Sequence, residues 1–106
     1  AFPRVRSVAF LPPDCSVKLH PVNQPLRVLN CDFEKRNFEA VTGINERLWM
    51  EHRQALVEIK DRRLEVLMQE LYAELVQPGF ASELLVESVC NMILVQVARY
   101  GHQLEQ

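Results

Sequence analysis

Glycine is scarce in this sequence, with only Gly43, Gly79 and Gly101 among 106 residues. Phosphate-cradling loops of the GxxxxGK[ST] or GxGxxG kind need clustered glycines, so nucleotide binding finds no support. Cysteine is as sparse and odd in number: Cys15, Cys31 and Cys90 lie far apart without a CxxC. This argues against a disulfide framework or a zinc site and fits a reducing, cytoplasmic setting. No apolar run approaches the roughly 18 to 20 residues needed to cross a bilayer, so no membrane partner is expected. Positive charge is not in excess either, because 12 basic residues face 14 acidic ones for a net charge of −2. Such a chain has no basic field to neutralise a phosphate backbone, and direct nucleic-acid binding by it alone is disfavoured.

Reactive constellations are missing as well. His20, His52 and His102 are isolated from one another, and none forms an HxH or HExxH pattern. Glu51 beside His52 and Glu105 after His102 point different ways on a helix, so no set of three converging ligands is legible. Cys15 falls in a turn without a neighbouring His, Cys31 and Cys90 fall on apolar faces, and no GxSxG elbow occurs. The sequence therefore assigns no catalytic, cofactor-binding or metal-binding residue, and neither an enzyme nor a cofactor is expected.

Proline divides what is present into unlike parts. Pro3, Pro12, Pro13, Pro21 and Pro25 crowd the first 25 residues, and only Pro78 follows. Continuous helix is ruled out in that first part. The runs 4–10, 16–20 and 26–33 are strand-length and rich in apolar and β-branched residues, with Leu29, Cys31 and Phe33 alternating on one face. Pro12-Pro13-Asp14 reads as a turn. From Glu34 the pattern turns helical: a short helix over 34–41 carries Phe38 and Val41 inward and stops at Thr42-Gly43, with Gly43 suited to a left-handed C-cap. Asn45 to Leu56 reads as a further helix, with a short strand over 55–59 as the alternative. Asp61 caps a clear amphipathic helix bearing Leu64, Leu67, Met68, Leu71, Tyr72 and Leu75. Pro78-Gly79 ends it, and Ser82 is the expected cap of a last helix over 83–100.

That last helix is apolar on nearly every side, and a helix of this kind is buried from several directions. In so small a chain the surplus face is expected to meet a second copy, through Leu85, Val89, Met92, Ile93 and Gln96. The alternative is a central helix wrapped by its own chain. A DNA-reading helix-turn-helix is disfavoured, since the second helix opens with Glu83, Leu84, Leu85, Val86 and Glu87 and has no basic residue before Arg99.

The run Glu70-Leu71-x-x-Glu74-Leu75-x-x-Pro78-Gly79-Phe80-Ala81-Ser82-x-Leu84-Leu85-x-Glu87, with Leu94 and Ala98-Arg99-Tyr100 beyond it, resembles the linker region of AraC/XylS-type bacterial transcriptional regulators. Val8 to Pro13 and Leu29-x-Cys31-x-Phe33 resemble a turn and a closing strand of the cupin-like barrel in that family, although Asp14 stands where the family commonly has Gly. The resemblance implies an effector-sensing and dimerisation module with a small-molecule effector and a homodimer, reaching DNA only through a C-terminal domain absent from these 106 residues. It also implies an α+β fold. Short antiparallel strands of a partial cupin-like barrel fill residues 1–34, connecting short helices or a strand fill 35–60, and a helical hairpin that makes the dimer fills 61–106. Two other readings stay open: a fragment of a small cupin-class metal enzyme, and a helical protein-interaction module. Charge divides unevenly, with +1 on residues 1–34 and −3 on the remainder, so the mild acidity belongs to the helical part.

Overall fold

A computed structural model describes residues 5–11, 16–21 and 29–106, with side chains from Phe33 onward apart from Lys35. The turn expected at Pro12-Pro13-Asp14 and Cys15 lies outside the described residues, as do the side chains of His20, Leu29 and Cys31.

From Phe33 to Gln106 every element is a helix. The body of the protein is therefore all-α, and the expected α+β fold with a partial cupin-like barrel is corrected. Ahead of the helices the backbone of β1 (Val5–Leu11), β2 (Ser16–Pro21) and β3 (Leu29–Asp32) pairs antiparallel in the order β1-β2-β3. Closing a barrel requires the outer strands to join across a staggered sheet. Among the described residues β1 and β3 each pair with β2 alone, and β1 runs beside the helices.

The first helix, α1 (Lys35–Thr42), ends where Gly43 turns left-handed at φ 72° and its N–H donates to Glu39 O at 2.9 Å. Glycine adopts this backbone without the Cβ clash that other residues meet. The Thr42 hydroxyl donates back to Phe38 O and accepts from the Ile44 N–H, which fixes the exit from the helix. Phe38 is fully buried, and its ring lies 5.7 Å from that of Phe33. Val41, expected to face inward, is instead half exposed, because α1 meets the body along the Phe38 side.

Asn45 caps α2 (Glu46–Glu51) by accepting the Leu48 N–H at 2.9 Å. The single helix expected over 45–56 is broken at His52, whose φ of −118° and ψ of 30° leave the helical region before α3 (Arg53–Val57) begins. The break lets Leu48 on α2, then Leu56 and Ile59 in and after α3, all turn into one core. Trp49 packs on that core from its margin, with the Arg53 guanidinium 5.8 Å from the ring centre.

Asp61 opens α4 (Arg62–Val76) as its N-cap, accepting the Leu64 N–H at 2.9 Å. Leu64, Leu67, Met68 and Leu71 are buried at i, i+3, i+4 and i+7, whereas Leu75 lies beyond the packed region and is half exposed. The last helix, α5 (Ser82–Leu104), has Ala81 rather than Ser82 as its cap residue, in a left-handed conformation at φ 60°. Ser82 is already helical, and its hydroxyl donates to the Glu74 carboxylate, which also accepts the Gly79 N–H. One carboxylate thus ties both sides of the Pro78-Gly79-Phe80-Ala81 turn. The core is completed by Val89, Ile93, Leu94 and Val97 of α5, packed between α4 and α1.

Candidate self-association face

Along α5, successive residues advance by 100°, so each neighbouring helix claims an arc rather than a list of types. Val89, Ile93 and Val97 fall within one arc, with Leu94 and Gly101 on its flank, and all five are buried. Val86, Cys90, Tyr100 and Leu104 border that arc and are partly buried against the core. Opposite it lies a stripe whose large apolar members are Leu84, Leu85, Met92 and Val95, exposed by 66, 47, 40 and 44%. They recur at i, i+1, i+8 and i+11, with Ser88 between them on the same side. The Ser88 hydroxyl donates to Leu84 O at 2.9 Å, so the one hydroxyl in the middle of the stripe is already satisfied by its own helix. A satisfied hydroxyl can be covered by a partner without the desolvation penalty of an orphaned one.

The five residues expected to face a partner are thereby divided. Leu85 and Met92 lie on the exposed stripe. Val89 and Ile93 are spent inside the chain's own core. Gln96 is also used internally, since its Nε2 donates to Asp61 Oδ1 and Oδ2 at 3.2 and 3.1 Å and links α5 to the cap of α4. Leu84 and Val95, which the sequence reading left out, take their place. Their signal was the i to i+11 spacing, which becomes informative once the buried arc is known. Phe80, fully exposed at the turn, and the exposed Leu75 and Val76 extend the apolar surface beyond the N-terminal end of α5.

A polar cluster forms at the other end of the body, where one potential donor atom from each of Glu51, His52 and Glu105 lies within 4.8 Å of the others. Sequence spacing could not have shown this, because Glu105 stands 53 positions beyond His52. The Arg47 guanidinium reaches Glu51 Oε1 at 2.7 Å and a Glu105 oxygen at 3.8 Å, while His52 Nε2 is 3.8 Å from Glu105 Oε2. With a cation already serving both exposed carboxylates, the cluster acts as an ion-pair network tying α2 to the end of α5. Such exposed pairs contribute little individually.

Tyr100 carries the one resolved shift in acidity among the described groups. Burial raises its pKa above the usual value of 10.0, the nearby Asp61 carboxylate raises it further, and a backbone hydrogen bond at Lys60 opposes both. Its hydroxyl donates to Ala55 O at 3.0 Å and anchors α5 to α3. This is a structural bond within the chain, remote in role from the exposed stripe.

No helix among the described residues is long and apolar enough to cross a membrane. Comparison with known proteins returned no matching family model, no matching curated protein and no matching solved structure.

Proposed function

We propose that this chain is the self-association module of a transcriptional regulator, forming a homodimer through α5 and acting on transcription through a DNA-binding domain outside these 106 residues. The observation that carries the reading is the apolar stripe of Leu84, Leu85, Met92 and Val95 on a helix whose opposite face is committed to the core. Fully burying side chains of this size stabilises by roughly 1.5 to 3 kcal/mol each. Association must overcome about 4 to 15 kcal/mol of lost freedom, so the stripe alone supports a weak dimer.

The regulatory half of the proposal is supported by the resemblance of residues 70–100, which are the same residues that form the end of α4, its turn and α5. A small-molecule effector is supported by that resemblance alone. Sedimentation equilibrium tests the dimer directly. Wild-type protein is expected to associate, and Leu84→Glu or Met92→Glu is expected to give monomers, because pairing would bury an uncompensated carboxylate at a cost of about 3 to 5 kcal/mol. A monomeric wild type at 100-micromolar protein would refute the proposal. Val89→Glu does not test the dimer, since it places the charge in the core of a single chain.

A further inference from the structure

Phe80 is the most exposed large apolar side chain described, at 103%. An aromatic ring that buries 150–250 Å² when packed is poorly used in water. The turn nevertheless holds it at a defined place, between the left-handed Ala81 and the Glu74 carboxylate that secures Gly79 and Ser82. About 28 Å further along α5, by the 1.5 Å helical rise, a groove of about 560 Å³ opens between α1 and α5. Val41, Val95 and Ala98 give it apolar walls, and Arg99 and His102 stand beside them.

We propose that Phe80 of one copy seats in this groove on a second copy, so that each copy both gives a ring and receives one. The inference rests on the self-association reading above and specifies its geometry. In an isologous pair, if residue i faces j of the partner, j also faces i. The midpoint of Leu84 and Val95 falls between residues 89 and 90. The midpoint of Phe80 and Arg99, which is central among the α5 residues lining the groove, falls at the same place. One two-fold axis crossing antiparallel α5 helices there sets Leu84 on Val95, Ser88 on Asn91 and Phe80 at the groove. A parallel pair would set Phe80 against Phe80 and leave both grooves unused.

Area favours the same occupant. α5 is about 34 Å long, and a helix pair at the usual spacing of 8–10 Å covers a strip of roughly 350 Å² on each copy. That is under half of the ~800 Å² per partner found in stable interfaces. A docked Phe80 and the groove wall it covers supply much of the difference. The Arg99 guanidinium beside the groove is also suited to an aromatic face.

Two measurements on the full chain test this. Phe80→Ala is expected to leave the fold unchanged, since the side chain is fully exposed in the single chain, and to raise the dimer Kd at least tenfold by sedimentation equilibrium. With Cys15, Cys31 and Cys90 replaced by Ser, the pair Phe80→Cys and Val41→Cys is expected to give a covalent dimer under mild oxidation. Within one chain these positions are separated by about 22 Å of helix, from Phe80 to Val95 beside Val41. A dimer whose Kd is unchanged by Phe80→Ala would overturn the docking while leaving self-association standing. A covalent dimer from Phe80→Cys alone would mean that the turns meet each other, and would overturn it too. A wild type that stays monomeric overturns both readings.

Discussion

Gly101 lies on the buried side of α5, where the helix passes over the residue that follows α1. A Cβ built at this position would stand 2.7 Å from Ile44 Cδ1 and 2.8 Å from Ile44 Cγ1. Gly101→Ala therefore brings two opposed effects. In an exposed helix interior the change stabilises by about 1 kcal/mol through intrinsic propensity. Adding a methyl to a filled core costs about 1 to 3 kcal/mol when neighbours must leave their rotamers. Ile44 is 2% exposed, so its displaced methyl has no solvent to enter and must push into the packing around Phe38 and Leu48. The packing cost wins, and Gly101→Ala should destabilise by about 1 kcal/mol, or lower Tm by about 4 to 8 °C in a domain of this size. Ile44→Ala removes both the Cδ1 and the Cγ1 atom and should cost about 2 to 5 kcal/mol alone. Combined with Gly101→Ala it should cost less than the sum of the two, with a coupling of about 1 kcal/mol. Urea unfolding followed by circular dichroism at 222 nm, at one fixed protein concentration, measures all four corners of this cycle. If Gly101→Ala stabilises the protein as an open helical site would, or if the coupling vanishes, the close approach of α5 to Ile44 is not what requires glycine there.

Three other perturbations test separate joints. Asp61→Ala removes the cap of α4 and the acceptor of Gln96 together, and should cost roughly 2 kcal/mol in urea unfolding; Asp61→Asn, which keeps a capping oxygen, should recover most of it. Gly43→Val should destabilise by about 1 kcal/mol or more through its left-handed backbone alone, since no atom lies within 4 Å of the added Cβ, and Gly43→Asn should cost less; equal losses would point to packing. The raised pKa of Tyr100 means that its contribution is fully present below the unfolded value near 10 and is lost as pH rises beyond it. The midpoint of urea unfolding should accordingly fall more steeply between pH 9.5 and 11 in wild type than in Tyr100→Phe, and parallel profiles would remove Tyr100 as the cause.

The parts of the helical body legible in the sequence are those where one residue suffices. Asp61 announces a cap by its chemistry, Gly43 a left-handed stop by its missing Cβ, and Leu64, Leu67, Met68 and Leu71 one buried face by their spacing. What failed to be legible depends on where another element lies. Val41 follows Phe38 by three residues and reads as its companion, yet α1 contacts the body over an arc too narrow to cover both. The break at His52 answers a tertiary demand, that Leu48 and Leu56 reach the same core from helices of different direction. Glu105 meets His52 and Glu51 only because α5 runs back across the molecule. The barrel failed for a related reason: alternation in short runs indicates extended backbone but does not say whether outer strands meet.

The choice of partner-facing residues shows how this limit acts on function. An apolar residue on α5 has no label that separates core from interface, because burial by α4, by α1 or by a second chain rewards the same side-chain chemistry. Only subtraction separates them. α4 takes the side of Val89 and Ile93, and with Asp61 it also takes Gln96, the one polar residue expected at the interface. Ile44, just past the end of α1, takes the flank of Gly101. The remaining arc keeps Leu84, Leu85, Met92 and Val95, together with a serine whose hydroxyl is already bonded to its own helix. A solvent face assembled by chance would be expected to carry its charges in the middle of that arc. On α5 the carboxylates Glu83 and Glu87 lie toward one margin, and Arg99 shares the angle of the stripe but stands one turn past Val95 beside the groove, so the stretch between Leu84 and Val95 is the part that a second copy could cover at least cost.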